Sequence, residues 1–134
     1  MSYYPLTTIP DYYSIDALLS EEHLLIRNSV RDWVESFVMP VIDDAAQNHT
    51  DIPNLMQELG NIGALGPYIP EEYGGAGLDQ ISYGLIMQEL ERGDSAVRSA
   101  ASVQSSLVMF PIFEYGSEEQ KKKYQSYIDD KKEQ

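Results

Sequence analysis

The 134 residues hold 9 Lys plus Arg against 22 Asp plus Glu, a formal net charge of −13, with 43% hydrophobic residues, 10% aromatic residues and no cysteine. A chain of this size fits one domain that buries about two-thirds of its unfolded surface, and its acidity argues against nucleic acid or anionic lipid as a partner. The missing cysteines exclude disulfides, thiol nucleophiles and Cys-bound zinc, so redox chemistry would need a borrowed cofactor.

No apolar run is long enough to span a membrane, and Met1 to Asp16 has neither the order of a secretion signal nor the Arg-rich amphipathicity of a transit peptide. The expectation is a soluble, intracellular chain. Residues 1–19, with Pro5, Pro10 and the Tyr3-Tyr4 and Tyr12-Tyr13 pairs, read as an arm over the surface. Ser20 is a good N-cap, followed by Glu21 and Glu22, whose charges suit the positive end of a helix dipole. Ile26, Val30, Trp33, Phe37 and Val41 then recur at helical steps. Pro40 crowds the carbonyl of Ser36, which predicts a kink or a restart there.

A short second helix is predicted from Pro53 to about Gly60–Gly63, and the Gly- and Pro-rich run 63–77 is predicted to be an irregular loop. Asp79 can cap a third helix carrying Ile81, Leu85, Ile86 and Leu90, with a break at Gly93. A fourth runs from Ser95 to about Met109. The spacing puts Ala96, Ala100, Val103 and Leu107 on its packing side and Arg98, Ser102 and Ser105 opposite. Pro111 bends or ends it. Ser117 and Gln120 form a capping-box pattern opening a last helix with Lys121 to Lys123, Tyr124 and Tyr127. With no strand-period segment, the fold class is all-α, a bundle of about five helices. The tail 129–134 carries no closing element and is as compatible with an internal boundary of a longer protein as with a terminus.

Arg92 and Arg98 are the only Lys or Arg between Trp33 and Gln120. Arg98 sits among small uncharged residues, where its planar fork can meet a carboxylate or phosphate, or simply pair with Glu91 or Asp94. Glu91 precedes it by seven residues and would share its face on a continuous helix, or else lie on a solvated face. His23 and His49 lack the spacing of a metal pair and read as surface histidines, so no metal is assigned. Gly74-Gly75-Ala76-Gly77 follows no strand and lacks the Lys-Ser/Thr ending of a phosphate loop; the serines at 95, 99, 102, 105 and 106 lack a nearby base and read as packing residues; Lys121 to Lys123 read as solvent-facing.

Taken in order, Glu89-Leu90-Glu91-Arg92-Gly93-Asp94-Ser95-Ala96-Val97-Arg98-Ser99, Ser102 to Met109 and Tyr115 to Gln120 closely resemble the glutaryl-CoA dehydrogenase branch of the acyl-CoA dehydrogenases. Ile26-Arg27, Leu59-Gly60 through Leu65-Gly66, and Pro70-Glu71-Glu72-Tyr73-Gly74-Gly75 are similar to the general N-terminal pattern of that family. The likeness runs from about Leu19 to Ile128, which marks 20–128 as the helical domain.

The resemblance implies an N-terminal helical domain of an FAD-dependent dehydrogenase, followed in the intact enzyme by a β-domain and a C-terminal helical domain, assembled as a homotetramer. It implies a cytoplasmic bacterial enzyme, or a mitochondrial matrix one. The full reaction would be oxidation and decarboxylation of glutaryl-CoA to crotonyl-CoA, its catalytic glutamate and flavin segments lying beyond this chain. No catalytic residue falls within 1–134, and the chain alone is expected to be inactive and without FAD. Arg98 would recognise the distal carboxylate, with Ser99 assisting and Glu91 tuning the arginine. Val103 and Leu107 resemble positions lining the acyl cavity, although their predicted side of the helix is not that of Arg98. Phe110 departs from the histidine often found before Pro111. The competing expectations are a general short-chain acyl-CoA dehydrogenase domain and a free-standing helical interaction module.

Overall fold

Ser20 opens the first long helix through a reciprocal cap: its Oγ accepts from His23 N at 3.1 Å, while Ser20 N donates to His23 Nδ1 at 3.3 Å. The computed structural model describes residues 12–124, which form helices and connections with no strand among them. Tyr3, Tyr4, Pro5, Pro10, Tyr127 and the tail 129–134 lie outside the described residues. Helix α1 (Glu21–Trp33) continues as a π-helical stretch, Val34–Val38, and the chain restarts beyond Pro40 as α2 (Ile42–Asn48). Helix α3 (Leu55–Asn61) begins two residues later than Pro53, because Asn54 takes the cap position in a left-handed conformation.

The loop 63–77 is irregular as predicted, with one short 3₁₀ turn, Glu71–Tyr73, and positive φ at Gly63, Gly66, Gly74 and Gly77. Asp79 caps α4 (Gln80–Gly93) by accepting from Ser82 N at 2.7 Å. Helix α5 (Ser95–Ser102) continues as a second π stretch, Val103–Met109, and passes into α6 (Phe110–Tyr115). Ser117 and Gln120 then cap one another, Ser117 N donating to Gln120 Oε1 at 2.8 Å and Gln120 N to Ser117 Oγ at 3.3 Å, and open α7 (118–124).

Both π stretches precede a proline, Pro40 or Pro111, whose ring would crowd the carbonyl four residues back. The wider turn makes that room, and it changes which side chains share a face. On α1 the buried row is Val30, Val34 and Val38; Trp33 and Phe37 pack beside it, while Val41, expected in the stripe, is exposed. On α5 the buried row is Val97, Ala101, Ser105 and Met109. This overturns the predicted facing of α5: Ser105 is buried, whereas Val103 and Leu107 are 48% and 70% exposed.

Val30, Val34, Val38, Leu59, Ala64, Ile86, Leu90, Val97 and Ala101 form one core, to which each fully buried Val or Leu contributes about 1.5–3 kcal/mol. Helix α4 lies between α1 and α5. Gly93 permits the close approach, since a Cβ there would stand 2.7 Å from Val34 Cγ1. Ile81, expected on the core stripe of α4, is exposed. Glu89 is 1% exposed and is held by Arg31, Nε to Oε2 at 3.0 Å and Nη2 to Oε1 at 2.8 Å, with Arg92 Nε at 3.6 Å. No described helix is long and apolar enough to cross a membrane.

Candidate functional site

The junction of α4 and α5 builds the cluster that contains Arg98. Asp94 is extended, with φ −166° and ψ 140°, and its side chain accepts from Ala96 N at 2.7 Å, so one residue ends α4 and starts α5. Across this break Glu91 and Arg98 still meet, Nε donating to Glu91 Oε2 at 2.7 Å. Ser95 Oγ donates to the other carboxylate oxygen at 2.6 Å. Arg98 Nη1 reaches Ser102 Oγ at 3.2 Å, and that hydroxyl donates to Ser99 O at 3.2 Å.

The bond from Arg98, and after it that from Ser95, holds the Glu91 carboxyl below the usual carboxylate range. Glu91 is therefore ionised at neutral pH and fixes one edge of the guanidinium. The Arg98 side chain is 35% exposed, and its Nη2 has no acceptor among the described residues. The simple ion pair with Glu91 thus exists, and it leaves part of the fork available to a second anion.

Of the predicted site residues, Glu91 and Arg98 are brought together. Ser99 enters the cluster through its carbonyl. Val103 and Leu107 lie farther along the same helix with their side chains largely exposed. Ser95 and Ser102 belong to the cluster and were read mainly as packing residues, although Ser102 was placed on the side of Arg98; their spacing of four from Glu91 and Arg98 was the available signal. Two hollows occur near α6 and α7. One, of about 480 Å³, is lined by Pro111, Ile112, Tyr115 and Tyr124 among others, and the smaller by Ile69, Met109 and Phe113 among others. Neither is lined by Arg98, Val103 or Leu107.

Other polar groups do structural work. His23 is no surface histidine: its largely buried ring bonds Asp79 Oδ2 through Nε2 at 2.8 Å, tying the start of α1 to the start of α4. Asp79 is held at about 2, chiefly by the Ser82 backbone N–H and then by His23. Lys121 likewise is not simply solvent-facing, since it pairs with Glu118 at 3.1 Å and its ammonium lies over the rings of Tyr73 and Phe113.

Residues 20–128 match the family described as acyl-CoA dehydrogenase, N-terminal domain. The chain belongs to this family. The human mitochondrial short-chain specific acyl-CoA dehydrogenase is 34% identical to this acyl-CoA dehydrogenase domain over 110 residues, 82% of the chain and 26% of that protein. A probable acyl-CoA dehydrogenase of Bacillus subtilis (strain 168) is 41% identical over 107 residues, 78% of the chain and 18% of that protein. Among solved structures, a glutaryl-CoA dehydrogenase from Mycobacterium smegmatis in complex with FADH2 superimposes with a TM-score of 0.82 at 40% identity, covering 87% of this chain and 30% of that one. The domain thus spans less than a third of each of these relatives.

Proposed function

We propose that this domain forms one wall of the acyl site in an FAD-dependent dehydrogenase that oxidises glutaryl-CoA, with Arg98 receiving the distal carboxylate. The observation that carries the reading is the Glu91–Arg98 geometry: Glu91 takes Nε, so the fork is fixed in orientation while Nη2 stays available for a carboxylate. Ser102 and Ser99 lie beside it, and the exposed Val103 and Leu107 farther along α5 supply apolar surface for the acyl chain. The 40% identity to a solved glutaryl-CoA dehydrogenase supports the same substrate.

FAD is implied by the family. The glycine-rich loop does not form a cradle for its diphosphate. The glycine-rich loop spends its N–H groups on its own carbonyls, Gly75 N to Pro70 O at 3.3 Å and Gly77 N to Ile69 O at 2.9 Å, beside the acidic Glu71 and Glu72. In this reading the flavin is held mainly by parts of the enzyme other than this domain.

A second reading, a short-chain acyl-CoA dehydrogenase, is favoured by one observation. Glu91 already compensates Arg98, so an apolar acyl chain would leave no unpaired charge. Kinetics of the full-length enzyme decide between the two. For glutaryl-CoA, Arg98→Met should lower kcat/KM about 10- to 150-fold, the loss of one charge-assisted pair, with butyryl-CoA changed less than about threefold. Equal losses on both substrates remove the receptor role.

A further inference from the structure

Glu91 spends its two carboxylate oxygens on different partners. Oε2 accepts from Arg98 Nε at 2.7 Å, and Oε1 accepts from Ser95 Oγ at 2.6 Å. An arginine and a carboxylate left to themselves often close as a fork, because the planar guanidinium presents parallel N–H groups from Nε and Nη2 along one edge. Here Glu91 meets Nε alone, and the oxygen that would complete the fork on Nη2 is turned to the Ser95 hydroxyl. On the other side of the guanidinium, Nη1 donates to Ser102 Oγ at 3.2 Å.

The Ser95 hydroxyl has no part in starting α5. Asp94 is the cap of that helix, its side chain accepting from Ala96 N at 2.7 Å, which also keeps the Asp94 carboxylate occupied beside the cluster. Ser95 is exposed, and among the described residues its hydroxyl bonds only Glu91. Without that donor, Oε1 is free to swing onto Nη2. The ion pair would then close as a fork and cover the edge of Arg98 that is otherwise open to a second anion.

We propose that Ser95 is a positioning residue for substrate selection: by holding Oε1 it keeps Glu91 on Nε alone and leaves Nη2 of Arg98 open to the distal carboxylate of a diacid thioester. This rests on the reading of Arg98 as the carboxylate receptor. The experiment uses the full-length enzyme. Ser95→Ala should raise KM for glutaryl-CoA about threefold to tenfold, with kcat and the KM for butyryl-CoA each within about twofold. The effect is smaller than that of Arg98→Met because the guanidinium remains. Ser95→Thr, which keeps a hydroxyl, should stay near the unmodified enzyme. In a Glu91→Gln background, which has no anionic oxygen to move onto Nη2, Ser95→Ala should change KM for glutaryl-CoA by less than about twofold. An unmoved KM in Ser95→Ala, equal rises on both substrates, or a rise that persists undiminished with Glu91→Gln overturns the proposal. Arg98→Met measured alongside separates the two claims. A glutaryl-selective loss there with Ser95→Ala unmoved sinks the role of Ser95 alone, whereas equal losses on both substrates sink the receptor and Ser95 with it.

Discussion

Replacing Arg31 with methionine would strand a buried carboxylate. Glu89 is 1% exposed in α4, and Arg31 holds it with two bonds of 3.0 and 2.8 Å. Removing one partner of such a pair costs about 3–5 kcal/mol. Two features soften the loss here: the Arg31 side chain is 20% exposed, and Arg92 stays 3.6 Å from the same carboxylate. A destabilisation of about 2–4 kcal/mol is therefore expected, and at about 3–5 °C per kcal/mol for a domain of this size Tm should fall by about 6–20 °C. Urea and thermal unfolding followed by circular dichroism measure both. Adding Glu89→Leu removes the stranded charge and should recover a good part of the loss, a coupling of at least about 1 kcal/mol in the double-mutant cycle. A single-variant cost below about 1 kcal/mol, or two substitutions that simply add, would refute the claim that Glu89 depends on Arg31.

Gly93→Ala should destabilise by about 1 kcal/mol, overpacking against Val34 outweighing the better helix propensity of alanine. Pairing it with Val34→Ala should cost less than the sum, and strict additivity would contradict the close-approach argument. Asp79 provides the pH prediction. Its folded value of about 2 lies below the ordinary 3.8, so its contribution to stability is present above 3.8 and is lost as the pH falls toward 2. Asp79→Asn should make the acid side of the stability profile shallower in that window, as urea unfolding at a series of pH values would show; an unchanged slope counts against the assignment.

Much of the scaffold was legible locally. Ser20, Asp79 and the Ser117–Gln120 pair mark helix starts through side chains that reach backbone N–H groups three residues away, and the structure uses all of them. The restart after Pro40 followed from the ring's own geometry. What failed was the assignment of faces beyond those points. A 3.6-residue period placed Val41 in the core stripe of α1 because it takes every turn to be the same width, whereas on α5 the packing row was started from Ala96, which is exposed, instead of from the buried Val97 and Ala101, and so it carried Val103 and Leu107 to the wrong side. At the site, Arg98 and Glu91 were both named from sequence. Ser95 and Ser102 stand four residues from Glu91 and Arg98, a spacing the sequence carried, whereas the Arg31–Glu89 pair needed the fold, because its members are 58 residues apart.

The order of residues by itself determined an all-helical chain, its caps and breaks, and membership of the acyl-CoA dehydrogenase N-terminal family, since all of these depend on neighbours in sequence or on residue identity. Only the tertiary structure decided the pitch of α1 and α5 and which of their side chains reach the surface. The π stretch that extends α5 lies just before Pro111 and is met at Ser105 and Ser106 by Gly66, Tyr68 and Tyr83, residues 23 to 39 positions away. No local periodicity can register a hydrogen bond whose partner arrives from another element.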